Sequence, residues 1–374
     1  MNIPFYKNYF THKDIEYTSR VIKRGMYWAN GPEIADFEKM VARLIGQPYA
    51  LAFNSGTSAL FAILDVLGIK GSEVIVPSFS FIATANAVVH VGGIPVFADI
   101  EENTFGLDPH DVEKKITKKT KAIIAVHFAG HPCQIEKLAQ IAKKYGLLLI
   151  EDAAEAIGSK INNHLVGSFG IANMFSFTPT KVISTGEGGM VVTGSKKIYE
   201  SLKLFRSHGR LETEDYFSSI KYMDYITLGY NFRMPTLIAA QGIAQMESLN
   251  DVIKMRKNLA VRYTRELNAI DELTTPALLP KVLDVFQMYT ICVKEGRKKR
   301  DALQLYLNKQ GIVSKVYFEP IHKTYFYRVK RKDRSKLPVT ERESGKVLSL
   351  PLYPSMSTDE QDYVINKIKL FFKL

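Results

Sequence analysis

The chain has 374 residues, 46% hydrophobic and 24% charged, with a formal net charge of +12. That composition suits a soluble globular chain with one large core and a smaller second one, and it excludes a disordered or low-complexity protein. No apolar run approaches the roughly 20 residues of a membrane span, the first residues lack a signal-peptide pattern, and Cys133 and Cys292 have no metal-ligand spacing, so a cytoplasmic protein without a metal site or membrane anchor is expected.

From about residue 50, short apolar runs alternate with helical patterns. The runs at 74–77, 94–97, 122–126 and 147–150 are apolar on both faces, which predicts buried parallel strands. Between them, residues 134–145 place Ile135, Leu138, Ile141 and Ala142 on one stripe, which predicts a covering helix. The alternation predicts an α/β fold, a mainly parallel sheet between helices. After about residue 235 the texture changes to one long helix running from 236 past 250, a strand at 288–293 and a final helix at 358–372. The expected division is a large domain, 1–245, and a small α+β domain, 246–374, with the first residues candidates to pack on the smaller one.

Basic clusters at 114–121, 297–300 and 330–336 read first as solvated helix faces and loop tips. The functional alternative is attraction of an anionic ligand such as a nucleotide diphosphate. No zinc spacing or RNA-binding signature accompanies them, so no nucleic acid partner is expected.

In open α/β sheets, ligands sit outside the carboxyl ends of the strands. Four unusual stretches fall there. Residues 54–60 (NSGTSAL) end an apolar run and open a helix, whose free amides suit a phosphate; an ordinary Ser-capped helix reads the same. Residues 150–156 put Glu151 and Asp152 at the end of a very apolar strand, fit for a metal, a hydroxyl or a protonated ring nitrogen, or simply for solvent. Residues 175–190 place Lys181 in a small-residue, Gly-rich turn; such a lysine suits imine formation with an aldehyde, or merely a solvated loop. The order excludes a P-loop, because the lysine precedes the glycines. Residues 228–235 (LGYNFRMP) lead into a helix and are not diagnostic alone.

The order of these features carries more than any one of them. Phosphate cradle, acid after a buried strand, then lysine about 30 residues on resembles the layout of fold-type I pyridoxal-phosphate enzymes. The chain resembles the DegT/DnrJ/StrS sugar aminotransferases in particular, through 54–60, 73–86 (EVIVPSFSFIATAN), 126–132 (VHFAGHP), 151–158 (EDAAEAIG), 166–170 (VGSFG), 175–191 (FSFTPTKVISTGEGGMV), 229–234 (GYNFRM) and 348–354 (LSLPLYP). These span nearly the whole chain.

The resemblance implies roles residue by residue. Lys181 would form the imine with the cofactor and later move the proton. Asp152 would pair with the pyridine nitrogen, and Phe81 would stack on the ring. Gly56, Thr57 and Ser176 would hold the phosphate. Asn231 would reach the same phosphate from the neighbouring subunit, which implies a homodimer with shared sites. Glu155 stands near the cofactor's phenolic oxygen; an ionised carboxylate there is repelled, so Glu155 is expected to be protonated or turned away. Tyr317 and His322 match a loop facing the sugar nucleotide, with small-domain packing as the alternative. Arg233 and Arg210 are candidates for the diphosphate, and Trp28 either lines the substrate mouth or packs.

The implied reaction is ping-pong transamination, with glutamate as donor and a nucleotide-linked keto-sugar as acceptor. Lys181 argues against the family's dehydratase branch, which carries histidine there. The run 152–158 favours a 4-keto-6-deoxy-hexose of the perosamine or bacillosamine kind. A 3-keto-sugar is the alternative within the class, and a non-catalytic regulatory protein on the same fold is the alternative outside it.

Overall fold

The computed structural model describes residues 1–212, 214, 216–217 and 219–373. Seven strands form the main sheet: β1 (Tyr49–Phe53), β2 (Glu73–Pro77), β3 (Ile94–Ala98), β4 (Thr120–Val126), β5 (Leu148–Asp152), β6 (Ala172–Ser176) and β7 (Gly189–Thr193). Their spatial order is β1-β7-β6-β5-β4-β2-β3. The four predicted runs lie in β2 to β5. These strands and β6 pair in parallel, whereas β7 opposes both β6 and β1. Because β1 and β6 both oppose β7, the ends of β1, β2, β4, β5 and β6 all open on one edge of the sheet. Most of the candidate site's residues follow those strand ends, while Gln287, Met288, Tyr317 and Phe318 come from elsewhere in the chain.

The strands are apolar throughout because helices cover both faces. Leu60, Ile63 and Leu64 of the helix Gly56–Val66 pack with Val74, Val76, Ile124 and Ile150 on one face. Leu138 and Ala142 of the helix Ile135–Tyr145 pack with Ile75, Ile123 and Leu149 on the other. The latter helix stops at Gly146, whose φ of 65° is the left-handed conformation that glycine takes most easily.

A second core gathers Tyr263, Leu267, Ile291, Leu303, Leu348 and Ile365 around a three-stranded antiparallel sheet of Leu273–Thr274, Tyr289–Val293 and Val347–Leu350. The amino-terminal segment joins it: Ile3 is buried in this core and its N–H donates to the Gly311 carbonyl at 2.8 Å.

Two sequence expectations need correction. The long helix from 236 is two helices, Thr236–Glu247 and Leu249–Leu267, interrupted at Ser248. Ser248 turns its hydroxyl back to the Ala244 carbonyl, a local hydrogen bond that competes with the helix ladder. The stretch 321–337, expected in the small domain, instead contributes Ile321, Tyr327 and Leu337 to the core under the main sheet. Tyr327 donates its hydroxyl to Asn86 Oδ1 at 2.8 Å, and Asp99 accepts the N–H groups of Val339 and Thr340. The chain thus returns to the large body before closing the small sheet. No helix of the described residues is long and apolar enough to cross a membrane.

Candidate active site

A cavity of about 240 Å³ opens at the strand ends, lined among others by Gly56, Thr57, Phe81, Asp152, Glu155, Ser176, Lys181 and Tyr317. Ser55 follows β1 and caps the helix Gly56–Val66 by accepting the Ser58 N–H at 3.1 Å. The first N–H groups of a helix have no partner within it and face an incoming anion. Two glycines bring Ser176 close to them. A Cβ on Gly189 would lie 2.4 Å from the Ser55 carbonyl oxygen, and one on Gly56 would lie 2.9 Å from Ser176 Cβ. Neither approach is open to a larger residue.

Asp152 and Glu151 end β5, and successive strand residues point to opposite faces. Asp152 faces the cavity. Its Oδ2 accepts the Thr84 hydroxyl at 2.8 Å, which is itself 2.9 Å from Ser80 Oγ, and its Oδ1 accepts the Ala154 N–H at 3.3 Å. Burial pushes this carboxyl above the usual carboxylate range, against the opposing pull of those donors. Glu151 does different work. It is wholly buried and accepts the N–H groups of Gly167, Phe169 and Gly170 at 2.7 to 2.8 Å, which fixes the loop before β6. His127 stands 3.2 Å away; its Nδ1 accepts the Cys133 N–H, so the ring proton sits on Nε2 and is donated to Glu151.

Lys181 sits in the 177–188 loop between β6 and β7. The loop is tied to itself: the Phe177 N–H donates to the Gly188 carbonyl, that of Thr185 to Phe177, and that of Lys181 to Thr178. The Lys181 amine lies 3.1 Å from Glu155 Oε1, and Glu155 Oε2 accepts the Ala129 N–H at 2.8 Å. Glu155 is therefore aimed into the cavity, with one carboxyl oxygen beside the Lys181 amine and the other on the Ala129 N–H. Of the two expected states, protonated or turned away, the second is not what the structure shows, because the carboxyl lines the cavity beside Lys181.

Phe81 is 60% exposed at the cavity mouth, with its ring centroid 6.4 Å from that of Phe318. Five other sequence candidates lie outside the lining. His322 is buried between Ser78 Oγ at 2.6 Å and Glu341 Oε1 at 3.2 Å, which is the packing alternative. Trp28 donates its ring N–H to the Val21 carbonyl at 3.2 Å, beside the first helix. Arg233 is half-buried and donates to Ser207 Oγ at 2.8 Å, while Arg210 pairs with Glu212 and lies 3.5 Å from the Tyr216 ring centroid. Asn231 is exposed and bridges to Ser207.

Sequence reasoning did not single out Thr84, Thr178, Thr180, Gln287 or Phe318, all of which line the cavity. Thr84 lies within a recognised motif, but its bond to Asp152 spans 68 positions, a relation no local pattern contains.

The fold and this lysine-bearing site define a fold-type I transferase, and comparison with known proteins agrees. The family model for DegT/DnrJ/EryC1/StrS aminotransferases matches residues 9–369. A GDP-perosamine synthase from Escherichia coli O157:H7 is 34% identical over 371 residues, covering 99% of this chain and 98% of that protein. The structure of Helicobacter pylori PseC, an aminotransferase involved in the biosynthesis of pseudoaminic acid, superposes with a TM-score of 0.94 at 28% identity over the whole of both chains. That of DesV from S. venezuelae, in complex with a ketimine intermediate, superposes with a TM-score of 0.91 at 30% identity, covering 100% of this chain and 99% of that one. The chain belongs to the DegT/DnrJ/EryC1/StrS aminotransferase family, and it is a sugar aminotransferase.

Pyridoxal phosphate is the cofactor this family implies, and the residues fit it. The helix start beside Ser176 is a cradle that a Cβ on Gly56 or Gly189 would fill. Asp152 is a buried carboxyl that, among the described residues, is hydrogen-bonded only by neutral donors, which suits it to a ring N–H. Lys181 supplies the primary amine.

Proposed function

We propose that the enzyme transfers an amino group from glutamate to a nucleotide-linked 4-keto-6-deoxy-hexose, as a homodimer with shared sites. The observation that carries this reading is the convergence of Lys181, Asp152, Ser176 and the helix start at Gly56 and Thr57 on one cavity.

When bound, pyridoxal phosphate supplies the electron sink that lets the donor carbon lose its proton. The chain's residues do the rest. Gly56, Thr57 and Ser176 would hold the phosphate at the positive end of the helix. Asp152 would hold the ring N–H, with Thr84 holding Asp152, and Phe81 would lie against the ring. Lys181 would hold the group and would carry the proton off the donor carbon; the reverse delivery would place a hydrogen on the sugar carbon. Glu155 would orient the Lys181 amine for that transfer. Tyr317 would face the acceptor sugar.

Asn231 is exposed and lies outside its own chain's cavity, as a residue serving a neighbouring protomer's site must be. Ile220, Tyr222 and Leu228, in the stretch leading up to Asn231, are more than three-quarters exposed, apolar side chains that a second copy would cover. The 4-keto assignment rests on the run 152–158 and on the likeness to GDP-perosamine synthases. The net charge of +12 favours an anionic nucleotide sugar over a neutral one.

The test supplies enzyme, pyridoxal phosphate and glutamate with 4-keto-6-deoxy and 3-keto sugars carried on different nucleotides. Amino-sugar and 2-oxoglutarate are then measured together by mass spectrometry. Higher kcat/KM on the 4-keto sugars is expected; higher kcat/KM on the 3-keto sugars would overturn the assignment.

A further inference from the structure

Arg256, on the helix Leu249–Leu267, is 4% exposed. Its Nη1 donates to the carbonyls of Phe286, Gln287 and Leu352 at 3.1 to 3.4 Å. Burial pushes this guanidinium down to about 10. A charge held against carbonyl oxygens alone is expensive to bury, and here it fixes the backbone of residues 286 and 287 from behind.

In front, that segment meets the active site twice. Gln287 is 4% exposed and lines the cavity, and its Nε2 donates to the Thr180 carbonyl at 2.6 Å. A carbonyl only accepts, so the amide orientation is determined. The Gln287 Oε1 is left without a partner among the described residues, a state native proteins rarely tolerate. Next to it, the Met288 N–H donates to the Ala129 carbonyl at 3.3 Å, and the Ala129 N–H holds Glu155. Residues 287 and 288 therefore grip both members of the Lys181–Glu155 pair, one through Thr180 and the other through Ala129. A side chain that only filled space here would need no amide and would leave no orphaned acceptor.

We propose that Gln287, anchored by Arg256, is a positioning residue that sets where the Lys181 amine stands relative to Glu155 by holding the carbonyl of the preceding residue. This rests on the reading of Lys181 as the cofactor lysine. It assigns a mechanical link from the small domain to that lysine.

The test uses Gln287→Met, which keeps the length and removes the donor, Gln287→Glu, which keeps the shape, and Gln287→His, which restores a neutral N–H of similar reach. The first readout needs no cofactor: the rate at which limiting acetic anhydride modifies Lys181 in the apoprotein, relative to exposed lysines, measured by peptide mass spectrometry. The second is kcat and KM for the glutamate half-reaction. Gln287→Met is expected to change Lys181 labelling by about threefold or more and to lower kcat by about 10- to 100-fold with KM within about threefold, because small misplacements of a reacting group are costly. Gln287→His should recover most of both. If Gln287→Met does not fold, Gln287→Glu takes its place with the same expectation. Folded variants whose labelling and kcat stay within about twofold of wild type would overturn the proposal. If wild type shows no half-reaction, the functional reading fails while the labelling result still decides the link.

Discussion

Glu155 Oε1 lies 3.1 Å from the Lys181 amine, and the other oxygen of the same carboxylate accepts the Ala129 N–H at 2.8 Å. The acid is thus held by the backbone and offers its free edge to the lysine. Ala129 adopts a φ of 57°, a conformation that non-glycine residues take infrequently, so the loop accepts backbone strain to present that N–H.

Glu155→Gln keeps the shape but puts an amide NH2 in place of one carboxyl oxygen, so the side chain can no longer accept from both the Ala129 N–H and the Lys181 amine. With the amine less well placed, kcat of the glutamate half-reaction should fall by about tenfold or more. Stopped-flow absorbance of wild type and variant checks this; equal rates would show that Glu155 does not act on Lys181.

Asp152→Asn should separate stability from function. The native carboxyl is held above its usual value of 3.8 by burial. Between the two values the native state binds more protons than the unfolded state, so stability falls as pH rises through that window and stays reduced above it. Asparagine never ionises, and the Thr84 hydroxyl can rotate to accept from it. The apoprotein variant should melt at a higher temperature than wild-type apoprotein at pH 7, with the gain disappearing below about pH 4. It should also lose the stabilisation that pyridoxal phosphate gives wild type. Scanning calorimetry with and without cofactor measures both.

Gly189→Ala places a methyl 2.4 Å from the Ser55 carbonyl and 2.6 Å from the Gly56 nitrogen. Both neighbours are backbone, so the helix start has to move. A loss of about 1–3 kcal/mol in stability is expected, together with a weaker grip on pyridoxal phosphate. Denaturant unfolding of the apoprotein and a cofactor titration report the two separately.

Much of the large domain was legible because buried parallel strands are apolar on both faces, and β2 to β5 show that plainly. The antiparallel β1–β7–β6 edge was harder. Its strands adjoin the Ser55 and Lys181 turns, and their direction depends on pairings far apart in the chain. Ser248 looked helical because its neighbours are all compatible with helix. The order of Gly56, Asp152 and Lys181 pointed to this cavity, since each stands at or beyond the carboxyl end of a strand. His322 and Trp28 stayed open between two readings for a common reason: a polar or aromatic residue in such a stretch reads alike whether it faces a ligand or packs. Gln287 gave no signal, because its role depends on Thr180, 107 positions earlier.

In the proposed function Lys181 carries an amine-transfer cofactor. The most direct measurement is the absorbance of purified, cofactor-loaded enzyme on addition of glutamate without acceptor. Wild type should lose its visible band and release one equivalent of 2-oxoglutarate per loaded site, and Lys181→Ala should do neither catalytically. A wild-type band unchanged by glutamate with no 2-oxoglutarate formed, or sustained turnover by Lys181→Ala, would contradict the account.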